Sequence, residues 1–265
     1  MKRSGFTLVE LMVVVGIIAL LMAIATPALQ NSRREAKVVL CSSNIRQLLV
    51  GLFTYEVENQ SLPFALDDTP TNPPSGGWPG GSAYDRVGWW WFNYLEGFFD
   101  NADREGTTLL CPSKHLTDIR LQDNSLCGNY GVNQSICKSA TGRGSRAEFI
   151  GRPLSTTDLP QPGQTLLIVD SGYSMINWWH VTETPPAALD SAIEDTAYIP
   201  GLKINKVRTN LWPGQQADAV NGRHRNKTVN AGFADGNVSC IKADELLVEQ
   251  TGDTYKNRSP LWMPK

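Results

Sequence analysis

Met1-Lys2-Arg3-Ser4-Gly5-Phe6-Thr7-Leu8-Val9-Glu10-Leu11 opens the chain and passes into an almost unbroken apolar run that ends at Leu29. A short basic head followed by apolar residues is the pattern of an export signal. Two features set this one apart. From Phe6 to Leu29 a helix runs roughly 36 Å at about 1.5 Å per residue, enough to cross a hydrocarbon core of about 30 Å. Glu10 lies inside that stretch, where an unpaired carboxylate costs about 2–3 kcal/mol or more. Ala23-Ile24-Ala25 has the small-x-small form that precedes an ordinary signal-peptidase cut. Release at that point leaves Glu10 without a purpose, so the stretch reads as a helix that is kept. Lys2 and Arg3 precede it and Arg33, Arg34 and Lys37 follow it, so the positive-inside rule does not decide its orientation.

The helical pattern continues beyond Pro27, where the missing N–H and the bulk of the ring predict a kink. Apolar residues then recur at Val38, Cys41, Ile45, Leu48, Leu52 and Tyr55. This three–four alternation is one stripe of an amphipathic helix. Arg34, Glu35, Lys37, Asn44, Arg46, Gln47 and Glu56 are expected to face water. Pro63 disfavours helical geometry at the residue before it, so the helix should end near Gln60-Ser61. One long helix thus meets two environments: apolar nearly all round over residues 6–29, then one apolar face over residues 30–62.

The remaining residues, 63–265, suffice for one sizeable core with loops. Asp67 to Tyr84 is dense in Pro, Gly, Ser and Asp and reads as a long loop. Trp89-Trp90-Trp91-Phe92 with Tyr94, and Trp178-Trp179-His180 further on, read as core; a sugar-stacking platform is the alternative. Short strands are expected at Leu109–Pro112, Tyr130–Asn133 and Thr165–Asp170. Asn177 to Gln216 reads as loop. A hairpin is expected from Thr228–Ala234 through the turn Asp235-Gly236-Asn237 to Val238–Ile241, since Gly accepts the positive φ such turns need. The fold class is α+β: a long amino-terminal helix packed on an antiparallel sheet.

The formal net charge of −2 and isoelectric point near 5.9 give no general basic surface, hence no clear nucleic-acid signal. Arg223-His224-Arg225 with Lys227 reads as a solvated turn. Of the five cysteines, Cys127 and Cys137 are the favoured disulfide pair because they close a short loop; Cys111 with Cys127 is nearly equivalent. Cys111, His115, Cys127 and Cys137 lack the tight spacing of a zinc knuckle. No nucleophile elbow, phosphate-binding glycine loop or HExxH helix is present, so no enzymatic activity and no cofactor are expected. Asp170, Asp235 and Asn237 offer oxygens suited to Ca²⁺, although Asp235 also suffices as a turn residue.

Gly5-Phe6-Thr7-Leu8-Val9-Glu10 behind its basic head closely resembles the class III signal of type IV pilins and type II secretion pseudopilins. The resemblance implies a leader of residues 1–5, cut by a membrane-embedded prepilin peptidase between Gly5 and Phe6, with methylation of the new amino terminus. It implies a chain in the bacterial inner membrane with the amino terminus cytoplasmic and the head outside. Glu10 would pair with the positive amino terminus of a neighbouring subunit during filament assembly. Further stretches resemble the H-X9-DG prepilin-type family with its DUF1559 domain: Cys41-Ser42-Ser43-Asn44-Ile45-Arg46-Gln47-Leu48, Leu110-Cys111-Pro112-Ser113, Tyr130-Gly131-Val132-Asn133, the strand to Asp170, Arg223-His224 and Phe233-Ala234-Asp235-Gly236-Asn237-Val238. His224, Asp235 and Gly236 carry that family's motif, with ten residues rather than nine between His224 and Asp235. The function implied is that of a structural filament subunit; the alternative is a membrane-tethered module binding polysaccharide through its tryptophans.

Overall fold

The structure is a computed structural model that describes residues 7–69, 88–95, 108–118, 121, 124–141, 147–183, 197–208, 211 and 214–264. Its dominant element is α1, Leu8–Asn59, 52 residues long with Pro27 inside it, or about 78 Å from end to end. Thr7 caps its start. Gln60, in the left-handed conformation at φ 58°, ends it, and its N–H bonds Glu56 O. The end falls where Pro63 led the sequence reading to place it.

The head is built on a five-stranded sheet. Its strands are β3 (Tyr130–Asn133), β4 (Leu166–Asp170), β5 (Met175–Ile176), β6 (Thr228–Phe233) and β7 (Val238–Lys242), in the spatial order β5-β3-β4-β6-β7. All neighbours are antiparallel except β3 and β5, which run parallel. Two small pairs flank it: β1 (Leu66–Asp67) with β2 (Trp89–Trp90), and β8 (Glu249–Thr251) with β9 (Thr254–Lys256). A short helix, α2 (Gln216–Asn221), precedes β6.

Both faces of the sheet are covered. On one lie Cys41, Ile45, Leu48, Leu49 and Leu52 of α1, packed with Trp90, Trp91, Tyr130, Val132 and Ile168. On the other lie Trp178, Trp179, Val181, Ile199, Leu246 and Trp262, against Leu166, Val169, Val229 and Ala231. The register between β4 and β6 shifts between Leu166 and Ile168. That irregularity explains why the successive residues Leu167 and Ile168 both face the helix, against the ordinary alternation of a strand.

The hairpin β6–β7 forms as the sequence indicates, with Gly236 at φ 90° in its turn. The expected strand at Leu109–Pro112 does not form: residues 108–113 are turns and bends. Cys111 N–H there donates to the Asn129 side chain at 3.0 Å rather than to a strand partner. Of the segment read as loop from Asn177 to Gln216, Tyr198, Ile199 and Leu202 are core. Most of the Asp67–Tyr84 loop lies outside the described residues.

Candidate functional site

The amino-terminal half of α1 is one functional surface. From Leu8 to Leu29 its large apolar side chains are exposed, and the most apolar window of the helix has no part buried against the head. By length and composition this segment can cross a membrane. Gly5 and Phe6 lie outside the described residues. Glu10 sits at the third helical position and closes a capping box with Thr7. Thr7 N–H and Thr7 Oγ1–H donate to Glu10 Oε2 at 2.9 and 2.7 Å, and Glu10 N–H donates to Thr7 Oγ1 at 3.3 Å. The carboxylate therefore satisfies the Thr7 N–H while Thr7 Oγ1 satisfies that of Glu10, and its charge complements the positive end of the helix dipole. Among the described residues its bonds are to Thr7, and the side chain is exposed among apolar neighbours.

The second half of α1 is a dock. Gly232 of β6 lies directly beneath it: a Cβ placed there would meet Ile45 and Ile168 at 2.8 Å and Leu49 at 2.9 Å. Close approach of helix to sheet thus requires glycine at this position. Glu56, which the helical pattern assigned to water, is buried. It accepts from Ser155 Oγ at 2.6 Å and from Thr156 Oγ1 at 2.9 Å, and also from Thr156 N–H, so it caps the short helix Thr156–Asp158. Asn44 likewise turns inward, donating to Leu110 O and Tyr130 Oη. The water-facing reading failed at these two positions because their partners are on distant segments.

The remaining sequence-derived residues are distributed as follows. His224 meets Asp170, not Asp235: His224 Nε2 lies 3.1 Å from Asp170 Oδ2, with both side chains buried. Asp170 Oδ2 also accepts from Asn230 N–H at 2.7 Å. Burial opposes a charged His224, but the hydrogen bonds and charges of Asp170 and Cys41 together outweigh it and push the imidazole pKa up to about 10. Asp235 is exposed in the hairpin turn, where Asn237 N–H donates to its Oδ1 at 3.0 Å. Asp170 aligns with Asn230 near the start of β6 whereas Asp235 follows its end. Asp235 thus lies beyond the far end of the strand from Asn230, in the hairpin turn, and the structure does not bring Asp170, Asp235 and Asn237 together.

Cys127 and Cys137 are both buried, and no disulfide joins them. Strand β3 stands extended between them, and the sulfur pair brought together is instead Cys41 and Cys111, with Sγ atoms 3.0 Å apart. The basic turn is solvated only in part: Arg225 is exposed, whereas Arg223 and His224 are not. Arg223 is buried, pairs with Asp218 Oδ2 at 2.8 Å, and donates to Asn129 O and Ser171 O. Tyr198 Oη completes the network on Asp218 Oδ2 at 2.8 Å. Trp90, Trp91, Trp178 and Trp179 are in the interior, so these tryptophans build the core and offer no sugar platform.

Residues 1–26 match the family model described as the prokaryotic N-terminal methylation motif. The chain is 34% identical over 79 residues to type II secretion system core protein G of Pseudomonas aeruginosa, covering 28% of this chain and 56% of that one. It is 34% identical over 65 residues to competence protein ComGC of Halalkalibacterium halodurans, covering 24% and 64%. It is 66% identical over 35 residues to prepilin peptidase-dependent protein D of Escherichia coli, covering 13% and 24%. The chain thus spans less than two thirds of each of these relatives. No solved structure matches it. The motif and these relatives make the amino-terminal part of the chain similar to prepilin-type proteins, as its first residues led us to expect.

Proposed function

We propose that this protein is the precursor of a pilin-like filament subunit. A prepilin peptidase cuts it between Gly5 and Phe6, and the new amino terminus is methylated. The uncut chain spans the bacterial inner membrane with its amino terminus cytoplasmic and its head outside. It then enters a type IV pilus or a type II secretion pseudopilus through its amino-terminal helix. One observation carries this reading: a single helix is core of the head in its second half and fully exposed in its apolar first half, with Glu10 in that exposed half. Such a surface suits lipid first and the helices of neighbouring subunits afterwards. The methylation motif and the names of the relatives support the processing step. The carboxyl-terminal hairpin supports assigning the head to the H-X9-DG type, and its role is structural rather than catalytic.

In the assembled state Glu10 accepts the positive amino terminus of the adjoining subunit. A buried carboxylate and ammonium are tolerated together, whereas either alone in an apolar medium is not. The expected outcome for Glu10→Ala is a precursor that is cut normally and has a head of unchanged melting temperature, yet is missing from sheared or pelleted filaments. Incorporation at the wild-type level would remove Glu10 from assembly.

A further inference from the structure

Four side chains from four separate segments meet beneath α1. Cys41 comes from the helix, Cys111 from the turn before Pro112, Asp170 from the end of β4, and His224 from the turn after α2. One potential donor atom of each lies within 4.8 Å of all the others, and all four residues are buried. Their positions in sequence are far apart, so the convergence is made by the fold and not by a local motif.

We propose that Cys41, Cys111, Asp170 and His224 hold one Zn²⁺ ion in a closed structural site. The donor set is two thiolates, a ring nitrogen and a carboxylate oxygen, which suits zinc and not the oxygen-seeking Ca²⁺ or Mg²⁺. Zinc holds sulfur at about 2.3 Å and nitrogen or oxygen at about 2.0–2.2 Å, which places tetrahedral neighbours roughly 3.3–3.8 Å apart. The Sγ–Sγ separation of 3.0 Å is shorter than this and no donor separation exceeds 4.8 Å, so adjustments of up to about 1 Å bring the four groups to those lengths.

A second observation points to a cation at this site. Among the described residues Asp170 Oδ1 is buried without a hydrogen-bond partner. A buried carboxylate oxygen left unpaired is costly, and native proteins rarely leave one so. A disulfide between Cys41 and Cys111 would satisfy the sulfurs alone and leave the Asp170 oxygen as it stands. A cation serves all four groups at once. Outer bonds already orient the ligands, as in established metal sites: Asn230 N–H holds Asp170 Oδ2, and the Asn129 side chain holds the Cys111 N–H. Loading displaces the protons of both thiols and of the coordinating ring nitrogen to solvent. The consequence is mechanical: the ion fastens α1 to three segments of the head, close to where the helix leaves it.

The test uses the full-length protein purified from membranes in detergent without chelator. Elemental analysis is expected to find one equivalent of zinc. Exchange with Co²⁺ is expected to give thiolate-to-cobalt charge-transfer absorption. Zn²⁺ should protect two thiols from alkylation, and a chelator should release both. Cys41→Ser and Asp170→Asn should each weaken Zn²⁺ binding at least tenfold, while Cys127→Ser, outside the cluster, should leave it unchanged. The wild-type measurements stand even if a variant does not fold. Failure of chelator-treated wild-type protein to take up Zn²⁺ or Co²⁺ would overturn the proposal, as would an intact mass and peptide map showing Cys41 joined to Cys111 by a disulfide.

Discussion

The two halves of α1 share one backbone and differ in what surrounds them. From Leu8 to Leu29 nearly every residue is apolar and every one is exposed; from Cys41 to Glu56 one stripe is buried and the opposite side is mostly polar, Val50 being the exception. Gly16 in the first half has nothing within 4 Å of a Cβ placed on it, whereas Gly232 beneath the second half has three side chains at 2.8–2.9 Å. The difference shows where each half gets its stability. The first half awaits a second molecule or a bilayer, while the second is fixed by its own head, so substitutions in the two should have separable effects.

The largest separation is expected at the buried ion pair. Asp218→Ala leaves Arg223 charged and unpaired in the interior, and removal of one partner of such a pair costs about 3–5 kcal/mol. Urea unfolding of the head should report that loss while membrane insertion continues. A stability change below about 1 kcal/mol would show that water or rearrangement replaces the carboxylate.

Acid should act next, and only on the head. All three histidines lie there, and burial, aided by the nearby Arg208 charge, holds the His180 pKa down to about 3 against an ordinary 6.5. His180 Nδ1 accepts from Asn177 N–H, which also favours a neutral ring. Because the unfolded chain takes up a proton below pH 6.5 and the folded one does not, stability falls with pH in that window. Between pH 6.5 and about 5 the loss is about 2 kcal/mol. His180→Gln should flatten the slope there; an unchanged slope would assign it to other groups.

A smaller effect is expected from added bulk. Gly232→Ala should destabilise the head by about 1–3 kcal/mol through overpacking under Ile45 and Leu49, while Gly16→Ala should leave head stability unchanged. Equal effects at the two positions would contradict the division of the helix.

Much of this organisation was legible in the sequence, because it rests on local rules. The apolar run, the three–four stripe and Pro63 defined α1, and Asp235-Gly236 between two apolar runs defined the β6–β7 hairpin. What escaped was whatever depends on partners far along the chain. Cys41 fell in the apolar stripe and so read as core, although its sulfur meets Cys111 seventy residues away. Glu56 looked like a solvent-facing acid until Ser155 and Thr156 closed over it. His224 and Arg223 looked like a basic turn because nothing local announces Asp170 or Asp218 as their counter-charges. The pairing of Cys127 with Cys137 was suggested by closeness in sequence, and an intervening strand keeps them apart. A cysteine in an apolar stripe, a histidine in the turn before a strand and an aspartate ending another were the only hints of the buried cluster.

The most direct test of the account is the intact mass and amino-terminal sequence of the protein recovered from membranes. A chain that begins with methylated Phe6 is the predicted result. A chain that begins near Thr26, or one that keeps Met1 in cells with an active prepilin peptidase, would contradict it.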